Sequence, residues 1–236
     1  MDANGATIVQ LERVGMRYGP NAEVLHDIDL TLPAGSFHFL VGPSGAGKSS
    51  LLRLLSLTQP ASRGRIVLFG RDVAQLDRSE TGPLRRRIGV VFQDFRLLDH
   101  MTAFDNLALP LRLGGASDEQ ISSHVSDLLD WLGLGDAIEK RPPELSMGQR
   151  QLVAVGRAVI GRPSLLLADE PTSSVDEGCS RRLMHLFLAL HGMGTAVVLA
   201  THNERLVRRH GFPVLELAAG ALRSPQLVVG ALPMTA

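Results

Sequence analysis

One cysteine, one tyrosine and one tryptophan are all that this chain of 236 residues carries of those three types. A single thiol, Cys179, cannot close an internal disulfide, which excludes a disulfide-stapled scaffold and fits a reducing compartment. It falls at the start of a segment that reads as helix, where a small packing residue is expected. Charge is balanced, 24 Lys and Arg against 24 Asp and Glu, so no basic face for nucleic acid is legible. No apolar run approaches the roughly 20 residues that a bilayer-spanning helix needs. Met1-Asp-Ala-Asn-Gly5 lacks the basic and apolar regions of a secretion signal. The expected location is the cytoplasm, with any membrane association made through a partner. Internal repeats and low-complexity linkers are missing as well. Apolar residues are plentiful: at 44% they supply a sizeable core, in one domain with lobes or two small ones.

Within that background, Gly42-Pro43-Ser44-Gly45-Ala46-Gly47-Lys48-Ser49 fits G-x-x-x-x-G-K-[ST] without a mismatch. Phe37-His-Phe-Leu-Val41 before it reads as a short apolar strand, and Ser50-Leu-Leu-Arg-Leu-Leu after it as an amphipathic helix. Glycines let backbone wrap closely around a polyphosphate and aim its N–H groups inward. The helix N-terminus adds partial positive charge at the same spot. Lys48 is placed to reach the β- and γ-phosphates, and Ser49 to offer a hydroxyl to Mg²⁺. This loop binds nucleotide.

A second cluster follows an apolar run. Ser164-Leu-Leu-Leu-Ala-Asp169-Glu170 looks like a buried parallel strand that delivers two acids to the carboxyl edge of a sheet. Asp169 suits the Mg²⁺ shell, and Glu170 suits orienting or deprotonating an attacking water. Alone, the same pattern also describes a solvated acidic turn after a core strand. Elsewhere Ile28, Leu30 and Leu32 alternate with polar residues, as do Val9 and Leu11, which predicts a half-exposed antiparallel sheet continued by Gly64–Gly70. Ser117 is placed to cap a helix holding Ile121, Val125, Leu128 and Leu129, with Trp131 expected in the core. Pro142-Pro143 breaks the chain after it. The stretch from Gln226 to Ala236 shows no clear periodicity.

Three further motifs fall in order: Val91-Phe-Gln93, Leu145-Ser146-Met-Gly148-Gln149, and Thr201-His202. With them the chain resembles the ATP-binding cassette (ABC) ATPases from about residue 7 to about residue 222. The resemblance implies an α/β fold: a P-loop, RecA-like core with an antiparallel β lobe and an inserted α-helical lobe. Core and β lobe would occupy about 7–92 and 158–222 and the helical lobe about 93–157, with a tail at about 223–236 unassigned. It implies two cassettes packed head to tail, with two ATP molecules and their Mg²⁺ between them. Ser146, Gly148 and Gln149 would contact the γ-phosphate held by the opposite copy, from a helix whose N-terminus points at it. Asp176 would lie in the loop that meets the partner cassette. His202 would contact the γ-phosphate, and Gln93 would help place Mg²⁺ and water. Tyr18 would stack on adenine. Ser44, Gly45, Ala46, Gly47 and Ser50 complete the nucleotide-binding set.

A closer resemblance covers Leu84–Leu111, with Phe95, Leu97, Leu98, Asp105-Asn106-Leu107 and Pro110, and continues through Gly114–Ser117. This stretch is similar to that of FtsE-type cell-division cassettes. Those pair with an FtsX-type membrane subunit and transmit ATP-driven motion to cell-wall hydrolase control, in contact with division-ring proteins. The chain would then sit on the inner face of the membrane. Lipoprotein-releasing and macrolide-export cassettes share part of the pattern. Phe95, Leu97 and Leu98 would lie beside a groove for a helix of the membrane partner, with Glu144 just before the signature. The chain departs from the family in three places. Met147 replaces the first glycine of Leu-Ser-Gly-Gly, Leu152 stands where arginine is common, and Ser173-Ser-Val replaces the usual junction. A glycine at 147 would allow φ > 0 and close approach to the opposite ATP, so methionine is expected to weaken that contact. An ATP-gated dimerising scaffold with little turnover is the rival reading.

Overall fold

The computed structural model describes residues 6–226. The expected tail therefore lies outside the described residues from 227 onward. The strands are β1 (Thr7–Arg17), β2 (Glu23–Pro33), β3 (Phe37–Val41), β4 (Arg63–Leu68), β5 (Arg71–Asp72), β6 (Ile88–Val91), β7 (Leu165–Asp169), β8 (Ala196–Ala200), β9 (Val214–Ala218) and β10 (Ala221–Gln226). The helices are α1 (Lys48–Leu55), α2 (Arg78–Arg86), α3 (Ala103–Leu113), α4 (Asp118–Leu132), α5 (Met147–Val159), α6 (Glu177–Gly192) and α7 (Glu204–His210). Contacts divide the chain into two compact units. One takes the segments up to Leu76 and from Ala196 onward, and the other Asp77–Thr195. The second unit is wider than the expected helical lobe, because it also holds α2, β6, β7 and α6.

In the first unit β2, β1, β4 and β5 form an antiparallel sheet in that order. The alternation of Ile28, Leu30 and Leu32 puts all three inward, with polar neighbours outward. A separate set runs β10-β9-β3-β8, where β3 is parallel to both β9 and β8. Buried on both faces, β3 and β8 read as near-continuous apolar runs. Phe37 stacks on Phe212 at 4.2 Å between ring centres and meets Phe39 edge-on at 5.3 Å. The register Phe37↔Val197 to Leu40↔Ala200 keeps the two strand ends in step. Thr201 N–H then donates to the Leu40 carbonyl at 3.1 Å. The loop at Gly42 and the pair Thr201-His202 accordingly leave the same edge.

The second unit repeats the device. Strands β6 and β7 are parallel, Ile88↔Leu165 through Val91↔Ala168, so Gln93, just past β6, and Asp169, the last residue of β7, lie at strand ends that are side by side. Helices α3, α4 and α5 pack on one another, and α5 also packs on β6. Gly89 permits that approach, since a Cβ there would run into the Ala158 carbonyl. Ser117 caps α4 in a reciprocal capping box with Gln120, and Ile121, Val125, Leu129 and Leu132 are buried. Leu128 is only half-buried. Trp131 is 44% exposed, contrary to its expected place in the core. At 100° per residue it falls off the stripe drawn by Val125, Leu129 and Leu132.

Candidate functional site: a phosphate loop and two strand-end clusters

The loop between β3 and α1 is built for close backbone approach. Gly42 has φ 151°, and a Cβ on it would collide with the Leu217 carbonyl. Gly47 closes the loop as the N-cap of α1 with φ 105°, a conformation that side-chained residues rarely adopt. No side chain caps α1, so its first N–H groups are left to a ligand. Pro43, Ser44 and Gly45 are exposed, while Ala46 is buried and accepts from Gly220 N–H at 3.2 Å. Lys48 bends back over this turn. Its Nζ donates to the Gly42 carbonyl at 2.7 Å and the Pro43 carbonyl at 3.1 Å. An incoming phosphate, being charged, is a stronger acceptor than either.

Tyr18 follows β1 and is half-buried. Its hydroxyl lies 3.1 Å from Ser50 Oγ and accepts from Arg53 Nη1 at 3.3 Å. The backbone carbonyl of Tyr18 takes a further bond from Asn21 Nδ2 at 3.0 Å. Ser50, expected among the nucleotide-binding residues, is 8% exposed and turns its hydroxyl to Tyr18. Its side chain therefore acts on the tyrosine. Exposed His202 and the Gly42-Pro43 corner line one cavity of about 540 Å³, together with Thr201, Glu204 and Glu216. Thr201 Oγ1 accepts from Asn203 N–H, and Asn203 caps α7 through Leu206 N–H. These bonds fix the backbone on which His202 stands.

In the second unit every residue of β7 is buried, and Asp169 ends it at 8% exposure. Glu170 begins the turn with φ 50°, an uncommon conformation for this residue. Its carbonyl accepts from Ser173 N–H at 3.2 Å and from Ser173 Oγ at 2.9 Å. Such strain is a recurrent feature of catalytic turns. Gln93 is exposed immediately after β6. Asp176 caps α6 by accepting from Cys179 N–H at 2.9 Å, and this bond holds its carboxyl below the usual carboxylate range. Cys179 is buried behind it, as its packing role requires, and burial pushes its thiol up.

Ser146 is the N-cap of α5, in a capping box with Gln149: Gln149 N–H donates to Ser146 Oγ at 3.2 Å and Ser146 N–H to Gln149 Oε1 at 2.9 Å. Gly148 sits on the first turn beside Ser174 and Val175. Met147 lies just ahead of Gly148. It begins α5 in ordinary helical geometry, outside the set with positive φ, and its side chain is 62% exposed. No left-handed backbone is demanded at this position. Glu144, just ahead, accepts from Arg141 N–H at 2.8 Å. Phe95, Leu97 and Leu98 are half-buried. A groove of about 930 Å³ in this unit is instead walled by Phe92, Pro110, Leu113, Arg85 and Arg86 among others.

Two residues carry roles that nothing in the sequence assigns: Arg157, and Asn106, which the sequence offers only within the Asp105-Asn106-Leu107 pattern. Asn106 is fully buried and bonded to backbone around the segment after Gln93, and Arg157 reaches that segment from α5. The signal in the sequence was slight: an arginine amid Val155-Gly-Arg157-Ala-Val159, where an apolar residue would suit the buried side of a helix.

Ser49 in the first unit carries a hydroxyl oxygen, and Gln93 and Asp169 in the second an amide and a carboxylate oxygen, each a hard donor of the kind that Mg²⁺ takes. A glycine-lined phosphate loop at the end of a parallel strand, and paired acids at the end of another, define a P-loop nucleotide-binding protein. The sequence profile described as ABC transporter matches residues 25–173, and the chain belongs to that family. It is 39% identical over 215 residues to the cell division ATP-binding protein FtsE of Escherichia coli K12, covering 91% of this chain and 97% of that one. It is 38% identical to the methionine import ATP-binding protein MetN 1 of Burkholderia pseudomallei, with 85% of this chain and 60% of that one covered. Among solved structures, the post-hydrolysis dimer of the ATP-binding cassette MJ0796 bound to ADP and Pi superposes with a TM-score of 0.87. Identity there is 30%, over 95% of this chain and 100% of that chain. The chain is an ABC-type ATPase subunit.

Proposed function

We propose that this chain powers a membrane complex of the FtsE–FtsX cell-division type. The observation that carries the reading is the 39% identity to FtsE over nearly the full length of both chains. The motif residues Lys48, Gln93, Ser146, Asp169, Glu170 and His202 are all present. No helix among the described residues is long and apolar enough to cross a membrane. Attachment to the inner face of the cell membrane therefore falls to an FtsX-type subunit, whose helix would enter the groove walled by Phe92, Pro110 and Leu113.

Two copies would close head to tail around two ATP molecules; a solved structure of the MJ0796 cassette is likewise dimeric. In each site the loop N–H groups and Lys48 hold the β- and γ-phosphates, and Tyr18 supports adenine. The α5 N-terminus, with Ser146 and Gly148, faces the γ-phosphate bound by the other copy. Glu170 orients a water and draws its proton as the γ-phosphorus–oxygen bond breaks, while His202 bonds the departing phosphate. Ser49, Asp169 and Gln93 would hold Mg²⁺, which when bound neutralises charge on the phosphate oxygens.

The similarity to MetN 1 supports a second reading, an import cassette. Affinity purification from native membranes separates them. A division-type membrane subunit in the eluate is the expected result, and an import permease would replace the first reading with the second.

A further inference from the structure

The segment after Gln93 is bent in an unusual way. Phe95 and Arg96 have φ of 56° and 50°, two consecutive side-chained residues in the left-handed region. Local bonds shape the turn: Phe95 N–H donates to the Phe92 carbonyl at 3.1 Å, and Arg96 N–H to the Asp94 carbonyl at 2.6 Å. The Arg96 guanidinium covers the Phe92 ring at 4.0 Å and also bonds Asp94. None of these contacts removes the steric penalty of left-handed backbone at a residue with a Cβ. Something outside the turn must hold it.

Arg157 does so from the last turn of α5. Its Nη2 donates to the Phe95 carbonyl at 2.9 Å and its Nη1 to the Arg96 carbonyl at 2.8 Å, so one planar fork takes both left-handed residues. The same Nη1 approaches Asn106 Oδ1 at 3.5 Å. Asn106 secures the downstream side, accepting from Leu98 N–H at 2.9 Å and donating to the carbonyls of Leu98, Met101 and Thr102. Burial lowers the pKa of Arg157 from its ordinary value, and the carbonyl bonds offset part of that desolvation.

We propose that Arg157 is a positioning residue for Gln93, clamping its loop in a strained shape and tying that shape to the helix that begins at Ser146. The inference rests on the role given to Gln93 under the proposed function. Ser146 and Arg157 stand eleven residues apart on one continuous helix, about 16 Å at 1.5 Å per residue. A shift of the signature end in response to nucleotide is thereby carried to the glutamine by a rigid rod, and a shift of the loop is carried back. An arginine is needed because only a planar fork addresses two successive carbonyls at once.

The test uses the full chain with steady-state ATPase kinetics and ATP binding. Arg157→Met keeps the stem and removes the donors. Its kcat should fall by about 10-fold or more with KM within about twofold, as expected when a positioned group is displaced. Adding Phe95→Gly and Arg96→Gly should restore kcat to within about threefold of wild type, because glycine adopts left-handed backbone without a clamp. General destabilisation would not be repaired by two glycines. Arg157→Lys, which can serve one carbonyl, should lie between wild type and Arg157→Met, and it keeps the test open if the methionine variant does not fold. A wild-type kcat in Arg157→Lys or Arg157→Met overturns the proposal, as does a triple variant no faster than Arg157→Met while the two glycines alone leave kcat intact. Gln93→Ala is measured alongside: full turnover there removes the role given to Gln93, whereas slow turnover there with an unaffected Arg157→Met removes only the clamp.

Discussion

Lys48 Nζ lies 2.7 Å from the Gly42 carbonyl, so the cation at the start of α1 is folded over the mouth of its own loop. ATP entering the loop exchanges two neutral acceptors for charged phosphate oxygens. Lys48→Ala should consequently weaken binding itself rather than turnover alone. Loss of the charge-assisted bonds of one cation is worth about 1.5–3 kcal/mol, or roughly 10- to 100-fold in Kd. Calorimetry with ATP checks it, and an unchanged Kd would show that the loop does not cradle phosphate.

The Tyr18 hydroxyl is tethered to Ser50 and Arg53 on α1. Tyr18→Phe keeps the ring and deletes the tether, so ATP affinity should weaken by only a few-fold, about 1 kcal/mol for one hydrogen bond. Tyr18→Ala removes the ring as well and should weaken it further. Equal Kd values for wild type, Tyr18→Phe and Tyr18→Ala would exclude Tyr18 from the adenine site.

Met147 begins a helix with ordinary backbone and points to solvent. Met147→Gly should leave the ATPase rate of the isolated chain within about twofold and cost up to about 1 kcal/mol of stability, the usual helix penalty of glycine. A several-fold faster glycine variant would restore the view that methionine obstructs the opposite nucleotide.

His38 on β3 has a buried Nδ1 without a hydrogen-bond partner, and burial lowers its pKa from 6.5. The folded state thus disfavours the charged form. Its contribution to stability is present above about pH 6.5, the unfolded value, and is lost as pH falls below it. The drop in Tm from pH 7.5 to 5.5 should be smaller in His38→Asn than in the wild type. An identical drop would mean that His38 is not titrating there.

The parts of the site that a sequence displays are those whose chemistry is local. Gly42–Ser49 is one loop between a strand and a helix, and Asp169-Glu170 ends one apolar run, so both were legible with their elements. The capping box at Ser117 was likewise written in adjacent residues. Arg157 and Asn106 act on backbone many residues away, and carbonyl acceptors leave no trace in composition. At Met147 a family pattern of glycine suggests backbone freedom and close approach to the opposite ATP; the backbone there is ordinary helix capped by Ser146, while approach to a second copy is not a property of one chain. Trp131 shows the limit of apolar periodicity, since a large aromatic just beside a stripe is easily counted on it.

Glu170 is the residue on which hydrolysis turns in this account. Glu170→Gln keeps the shape of the φ 50° turn and its bonds to Ser173 while removing the carboxylate. Loss of general-base help costs on the order of 10²–10⁴ in rate, so ATP should be held rather than consumed. Light scattering after size exclusion, with ATP and Mg²⁺, should find this variant at twice the 25.4 kDa of one chain, returning to a single chain when nucleotide is withdrawn. A Glu170→Gln protein that stays at 25.4 kDa with saturating ATP and hydrolyses it at the wild-type rate would contradict the ATP-driven cassette described above.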